Sequence, residues 1–139
     1  MKIRRNQLFV IFLIITIFLI IAGCRGAPKE IPENLYPEEY FKNAQIAMVD
    51  WGNYKAALFY YEEFIKKFPD MQGKIIEAEY EIAFIHYRRK NYIEAEQMFE
   101  SILDKYKTPE SAYYNEWPRV LSEKILAKIR KKMPKSDEI

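Results

Sequence analysis

One cysteine and one histidine are all that the 139-residue chain has for disulfide, thiolate or imidazole chemistry. Cys24 alone excludes an intramolecular disulfide, so any folded part is held by packing. His86 alone excludes a zinc site built from several imidazoles, and no cysteine cluster replaces them, so no metal is expected. Glycine is scarce, at 4 residues, and neither a phosphate-cradling loop nor a Gly-flanked nucleophile motif occurs. With no histidine set to act with an acid either, the expectation is a protein that is not an enzyme and carries no cofactor. Acids are missing before Glu30, whereas Lys2, Arg4 and Arg5 lie in the first five residues. Removing residues 1–23 therefore turns the formal +2 of the whole chain slightly negative. A near-neutral remainder lacks the basic surface that displaces counterions, which argues against nucleic acid as a partner.

What is present begins with an apolar run. Leu8 to Ala22 contain no polar residue except Thr16. About fifteen apolar residues suit a signal-peptide core, whereas a spanning helix needs about twenty. The run ends in Ile21-Ala22-Gly23-Cys24, small residues before a lone thiol. This tetrapeptide resembles the lipobox of bacterial lipoproteins. The resemblance implies cleavage between Gly23 and Cys24, with a diacylglyceryl group on the Cys24 sulfur and a further acyl chain on its amine. An uncleaved N-terminal anchor helix is the alternative. Residues 24–35, with Gly26, Pro28, Pro32 and mixed charge, read as a lipidated cysteine followed by an extended tether. Arg25 is not the Asp that in proteobacterial lipoproteins favours inner-membrane retention, so the resemblance allows outer-membrane anchoring facing the periplasm.

From Tyr36 to residue 133 the periodicity is helical, followed by a short tail at 134–139. Pro37, Glu38 and Glu39 suit a first helical turn. Phe41, Ala44, Met48 and Val49 follow at near-helical spacing until Gly52-Asn53. Tyr54, Ala57, Leu58, Tyr61, Phe64, Ile65 and Phe68 form a second stripe, ended by Pro69-Asp70. Ile75, Ala78, Ile82, Ala83, Ile85 and His86 mark a third helix, broken at Lys90-Asn91. Tyr92, Ala95, Met98, Phe99, Ile102 and Tyr106 mark a fourth, closed by Thr108-Pro109. A last helix over 118–132 starts at Pro118. Gly52-Asn53-Tyr54-Lys55-Ala56-Ala57 aligns with Lys90-Asn91-Tyr92-Ile93-Glu94-Ala95 at a constant offset, and Phe64…Phe68 aligns with Ile102…Tyr106 at the same one.

This doubling resembles a pair of tetratricopeptide repeats, in which a small residue marks the helix crossing and an aromatic follows four positions later. Ala57…Tyr61 and Ala95…Phe99 both fit. The implied fold is all-α: tandem tetratricopeptide-like helix-turn-helix repeats in a short right-handed solenoid, with the C-terminal helix as cap. In that family the first helix of each pair lines a concave groove for partner segments. Carrying the register over places Lys42, Ile46 and Val49 there in the first repeat, and Tyr80, Phe84, Tyr87 and Arg88 in the second. Tyr, Phe and Arg are favoured at interface hot spots; the alternative is that these residues pack on the tether or the last helix. Acid pairs such as Glu62-Glu63 and Glu79/Glu81 read as solvated helix faces, and His86 as a packed core residue. Lys124, Lys128, Arg130, Lys131 and Lys132 suit the end of a helix dipole, or a docking surface for an acidic partner or anionic headgroups.

With its lipobox, tyrosine-rich repeats and the phrases NYKAALFYYEEFIKKFP and AEYEIAFIHYRRKNYIEAEQMFESILDKY, the chain resembles the outer-membrane assembly lipoproteins of the BamD/ComL type over roughly residues 36–107. That family has five repeats where this chain has room for two. The resemblance implies a non-catalytic scaffold of the machinery that inserts β-barrels into the outer membrane, with the central β-barrel assembly protein as partner. A periplasmic adaptor of another envelope system, such as cell-wall coordination or secretin and pilus assembly, is the alternative.

Overall fold

In the computed structural model, residues 31–32, 34–49 and 52–133 are described. The expected signal peptide, Cys24, most of the expected tether and the expected tail lie outside them. Every regular element among the described residues is helical: α1 (Pro37–Val49), α2 (Tyr54–Lys67), α3 (Gln72–Arg88), α4 (Tyr92–Lys105), a 3-10 turn (Pro109–Tyr113) and α5 (Trp117–Lys132). Each helix packs on the next in sequence, and α5 also reaches back to α3.

The breaks between helices have local causes. Gly52 has φ +59° and Lys90 has φ +66°, so the left-handed residue recurs at equivalent places in the two hairpins. Beyond Lys90, the Asn91 amide donates to the His86 carbonyl at 3.0 Å, which turns the chain out of α3. Asn53 then starts α2, its Oδ1 accepting from the Ala56 amide at 3.1 Å. Glycine tolerates the left-handed region freely, and a lysine there carries a steric cost of about 1–2 kcal/mol. Lys90→Gly is therefore expected to stabilise the domain by about 1 kcal/mol, raising its melting temperature by about 4–8 °C. A thermal melt followed by circular dichroism checks this.

Two clusters of buried side chains share α3 between them. Ile75, Ala78, Ile82 and Ile85 join Tyr40, Ala44, Ala47, Ala57, Tyr61 and Phe64 from α1 and α2. Ile76, Tyr80 and Ala83, on the adjoining face of α3, join Ala95, Phe99 and Ile102 from α4 and Ile125, Leu126 and Ile129 from α5. The paired positions Ala57/Ala95 and Tyr61/Phe99 are all fully buried. Alanine suits the first pair because a larger side chain would hold neighbouring helices apart. Ile31 and Leu35, at the end of the expected tether, pack against the first cluster instead of standing clear of it.

Between the two cluster faces, α3 carries a row of Lys74, Glu77, Glu81 and Arg88 at helical spacing, with Phe84 packed at the edge of the second cluster.

Candidate interaction surface

The row on α3 meets α1 across a cleft of about 290 Å³, lined by Pro37, Glu38, Phe41, Lys42, Gln45, Lys74 and Glu77. A second cleft of about 520 Å³ opens between the start of α3 and the 3-10 turn, where Asp70, Gly73, Glu110, Tyr113 and Tyr114 face one another. Lys74 and Glu77 line both, so the two clefts adjoin at the N-terminal end of α3 and are together called the channel.

Glu77 is the fixed point of that channel. It is buried, and its carboxylate accepts from Lys74 Nζ at 2.8 Å and from Asn115 Nδ2 at 2.6 Å. Lys74 Nζ also lies 5.6 Å from the centre of the Phe41 ring, a cation–π distance. A buried carboxylate held by a cation and an amide ties α3 to the segment after the 3-10 turn. Tyr113 stands 90% exposed on the rim, an aromatic with no packing role of its own.

One turn further along, Glu81 is half-buried and makes no hydrogen bond or ion pair with any described residue. Burial pushes its carboxyl above the usual glutamate range, and the Glu77 charge adds to the rise. An acid raised in the folded state binds its proton more tightly there than in the unfolded chain. It therefore lowers stability as pH rises from its unfolded value through its folded one. Glu81→Gln is expected to raise the urea midpoint at neutral pH. The advantage should vanish below about pH 4, where the wild-type carboxyl is protonated in both states. Equal midpoints at neutral pH would contradict it.

The residues expected to line a groove are divided by the structure. Lys42 lies in the α1–α3 cleft. Val49, 74% exposed, and Ile46, half-buried, lie on α1 outside the cleft lining. Arg88 is exposed at the end of the α3 row, and Phe84 is half-buried beside it. Tyr80 departs from the expectation: it is only 5% exposed, and its ring meets Trp117 edge-on at 5.0 Å and Phe99 at 5.7 Å. Burial, with Glu81 nearby, pushes its hydroxyl up to about 12. Tyr87 also turns toward α4 and α5, 5.9 Å from Tyr92 and beneath Lys132 Nζ at 5.3 Å. The acids read as solvated need correction too. Glu79 is paired with Lys105 of α4, and Glu81 is half-buried. His86 is largely enclosed, with Nδ1 3.3 Å from Glu94 Oε2 but not aligned for a hydrogen bond.

Among the described residues no group of His, Cys, Asp and Glu converges as a metal ion would require, and no helix is long and apolar enough to cross a membrane. The channel offers an aromatic rim, a braced carboxylate and exposed polar side chains, an arrangement suited to receiving another chain.

The chain is similar to an uncharacterised protein of Treponema pallidum, 34% identical over 92 residues. The match covers 65% of this chain and 36% of that protein, so the chain spans little more than a third of its relative's length. No protein-family model matches the sequence, and no solved structure matches it.

Proposed function

We propose that this chain is a non-catalytic scaffold of the bacterial envelope, lipid-anchored through Cys24, with helices stacked as tandem tetratricopeptide-like repeats. In this reading the channel between α1, α3 and the 3-10 turn receives a segment of another envelope protein. The observation that carries the repeat assignment is the recurrence of one local geometry in both hairpins. Gly52 and Lys90 share the left-handed conformation, and Ala57/Ala95 and Tyr61/Phe99 are buried at the same register. Stacked hairpins of this kind leave the first helices of successive pairs facing a common groove. In this reading the α1–α3 cleft is that groove.

The anchor follows from the charged start, the apolar run and the small residues before Cys24. The partner proposed first is the central protein of the β-barrel assembly machinery of the outer membrane. It rests on the resemblance to the BamD/ComL type. The test is a mild-detergent pull-down of the lipidated protein after in-cell crosslinking, with partners identified by mass spectrometry. A large outer-membrane barrel protein as the dominant partner is the expected result. Enrichment of a cell-wall or pilus complex instead would retire the barrel-assembly assignment and leave an envelope adaptor.

A further inference from the structure

Six of the described cations are paired with acids. Lys66 pairs with Glu63, Lys74 with Glu77, Lys105 with Glu79, Lys107 with Asp104, Arg119 with Glu116 and Glu123, and Arg130 with Glu96 and Glu100. Several of the others gather at one end of the molecule. Arg88, Arg89 and Lys90 close α3, Lys128 and Lys131 lie on the last turns of α5, and all are exposed without an ion pair to any described residue. The fold brings the two groups together, because Lys132 Nζ sits over the rings of Tyr87 and Tyr92 at 5.3 and 5.2 Å and reaches the Tyr92 hydroxyl at 3.3 Å. Met133, after α5, lines a depression of about 560 Å³ with Lys90, Tyr92, Ile93, Glu94 and Gln97.

Ile93 projects from the centre of this basic end with 69% of its surface exposed. Helix dipoles account for cations in a last turn. They account neither for an exposed isoleucine beside the turn nor for Lys128, a full turn inside α5. The acid within the depression is Glu94, which faces His86, whereas Glu96 and Glu100 are occupied by Arg130. Cations around a projecting apolar side chain, with tyrosines beneath, suit a flat interface that is anionic above and apolar below.

We propose that the α3–α4 turn and the last turns of α5 form a docking face for anionic phospholipid headgroups, with Ile93 entering the interface. The proposal rests on the lipid-anchored reading, which places a membrane within reach. Residues 24–31 extend to about 25 Å at most, about the length of the 17-residue α3. Fully extended, that tether is long enough to run the length of α3, so an anchor and the docking face can share one surface with α1 folded. The channel lies at the opposite end of α3 and is held away from the headgroups.

The test uses the mature lipidated chain carrying Gln97→Cys labelled with a polarity-sensitive dye, in vesicles of phosphatidylcholine with or without phosphatidylglycerol. A label at Thr108→Cys, beyond α4, serves as control. The label at 97 is expected to shift to the blue and be quenched by brominated lipid on anionic vesicles only. The control label stays water-like, and about 1 M salt, which cuts the screening length to about 3 Å, reverses the shift. Each cation at such a surface strengthens attachment about fivefold, so R88E/R89E/K128E/K131E should need at least about tenfold more phosphatidylglycerol. Helix content of that variant is checked by circular dichroism. Identical emission on neutral and anionic vesicles, with the chain floating on both, would overturn the docking face and keep the anchor. Flotation with anionic vesicles alone would remove the anchor and keep the face. A shift produced by poly-glutamate but not by anionic vesicles would overturn the proposal in favour of an acidic protein.

Discussion

Phe99→Ala is expected to destabilise the domain by about 3–5 kcal/mol, enough to leave a sizeable fraction unfolded at 37 °C. Phe99 is fully enclosed where α3, α4 and α5 meet, among Ile76, Ala83, Ala95, Ile102, Ile125 and Ile129, with Tyr80 at 5.7 Å. The loss combines transfer of the ring with the cavity left behind, which rigid helix backbones fill only in part. A domain of this size has about 5–15 kcal/mol in total, so one side chain carries a large share. Ile93→Ala is the control: it lies on the same helix but mostly in solvent, and should change stability by less than about 0.5 kcal/mol. Urea titration followed by circular dichroism reads both. The Phe99 variant should lose at least about 1 M in midpoint. A loss near that of Ile93→Ala would mean that α4 does not close on α3 and α5.

Cys24→Ala is expected to have the largest effect in the cell. It removes the only sulfur able to carry a diacylglyceryl group. At about 0.8 kcal/mol per buried methylene, two or more acyl chains hold a protein on a bilayer almost permanently, and without them no comparable attachment remains. The variant should leave the membrane fraction as a free periplasmic domain, or stay behind as unprocessed precursor. Metabolic labelling with a fatty acid should be lost. Helix content of the released domain should be unchanged, since every described helix begins after Cys24. Undiminished labelling and membrane retention would contradict the lipoprotein reading.

The helices were legible in the sequence because their breaks are local. Gly52-Asn53, Pro69-Asp70 and Lys90-Asn91 each fall between helices, and inward alanines at 57 and 95 occupy the register that the repeat pattern assigns them. The 3-10 turn at Pro109–Tyr113 was not legible, being too short to show a period. The surface was legible only in part. The resemblance to the repeat family places Tyr80 and Tyr87 in a groove, but, as in the alternative reading, α5 returns over that flank and brings Trp117 onto Tyr80. Nothing in the local sequence announces where a last helix lands. Glu77 and Glu81 fail for the converse reason. Acids on helices are ordinarily solvated, and these are enclosed by contacts from distant segments, such as Asn115 on Glu77. The basic end was visible as a charged C-terminal helix, but its junction with Arg88, Arg89 and Lys90 exists only in three dimensions.

Site-specific photocrosslinking from the channel tests the central claim most directly. A photoreactive residue replaces Gln45, exposed on the α1 side of the cleft, and a second variant carries it at Glu62, exposed on α2 outside both cleft linings. If the channel receives a partner, irradiated cells should give a discrete crosslinked species from position 45, containing one envelope protein, and none of comparable strength from 62. Equal or absent crosslinking at the two positions, in variants that fold and are membrane-attached, would show that the channel is not where this protein meets its partner.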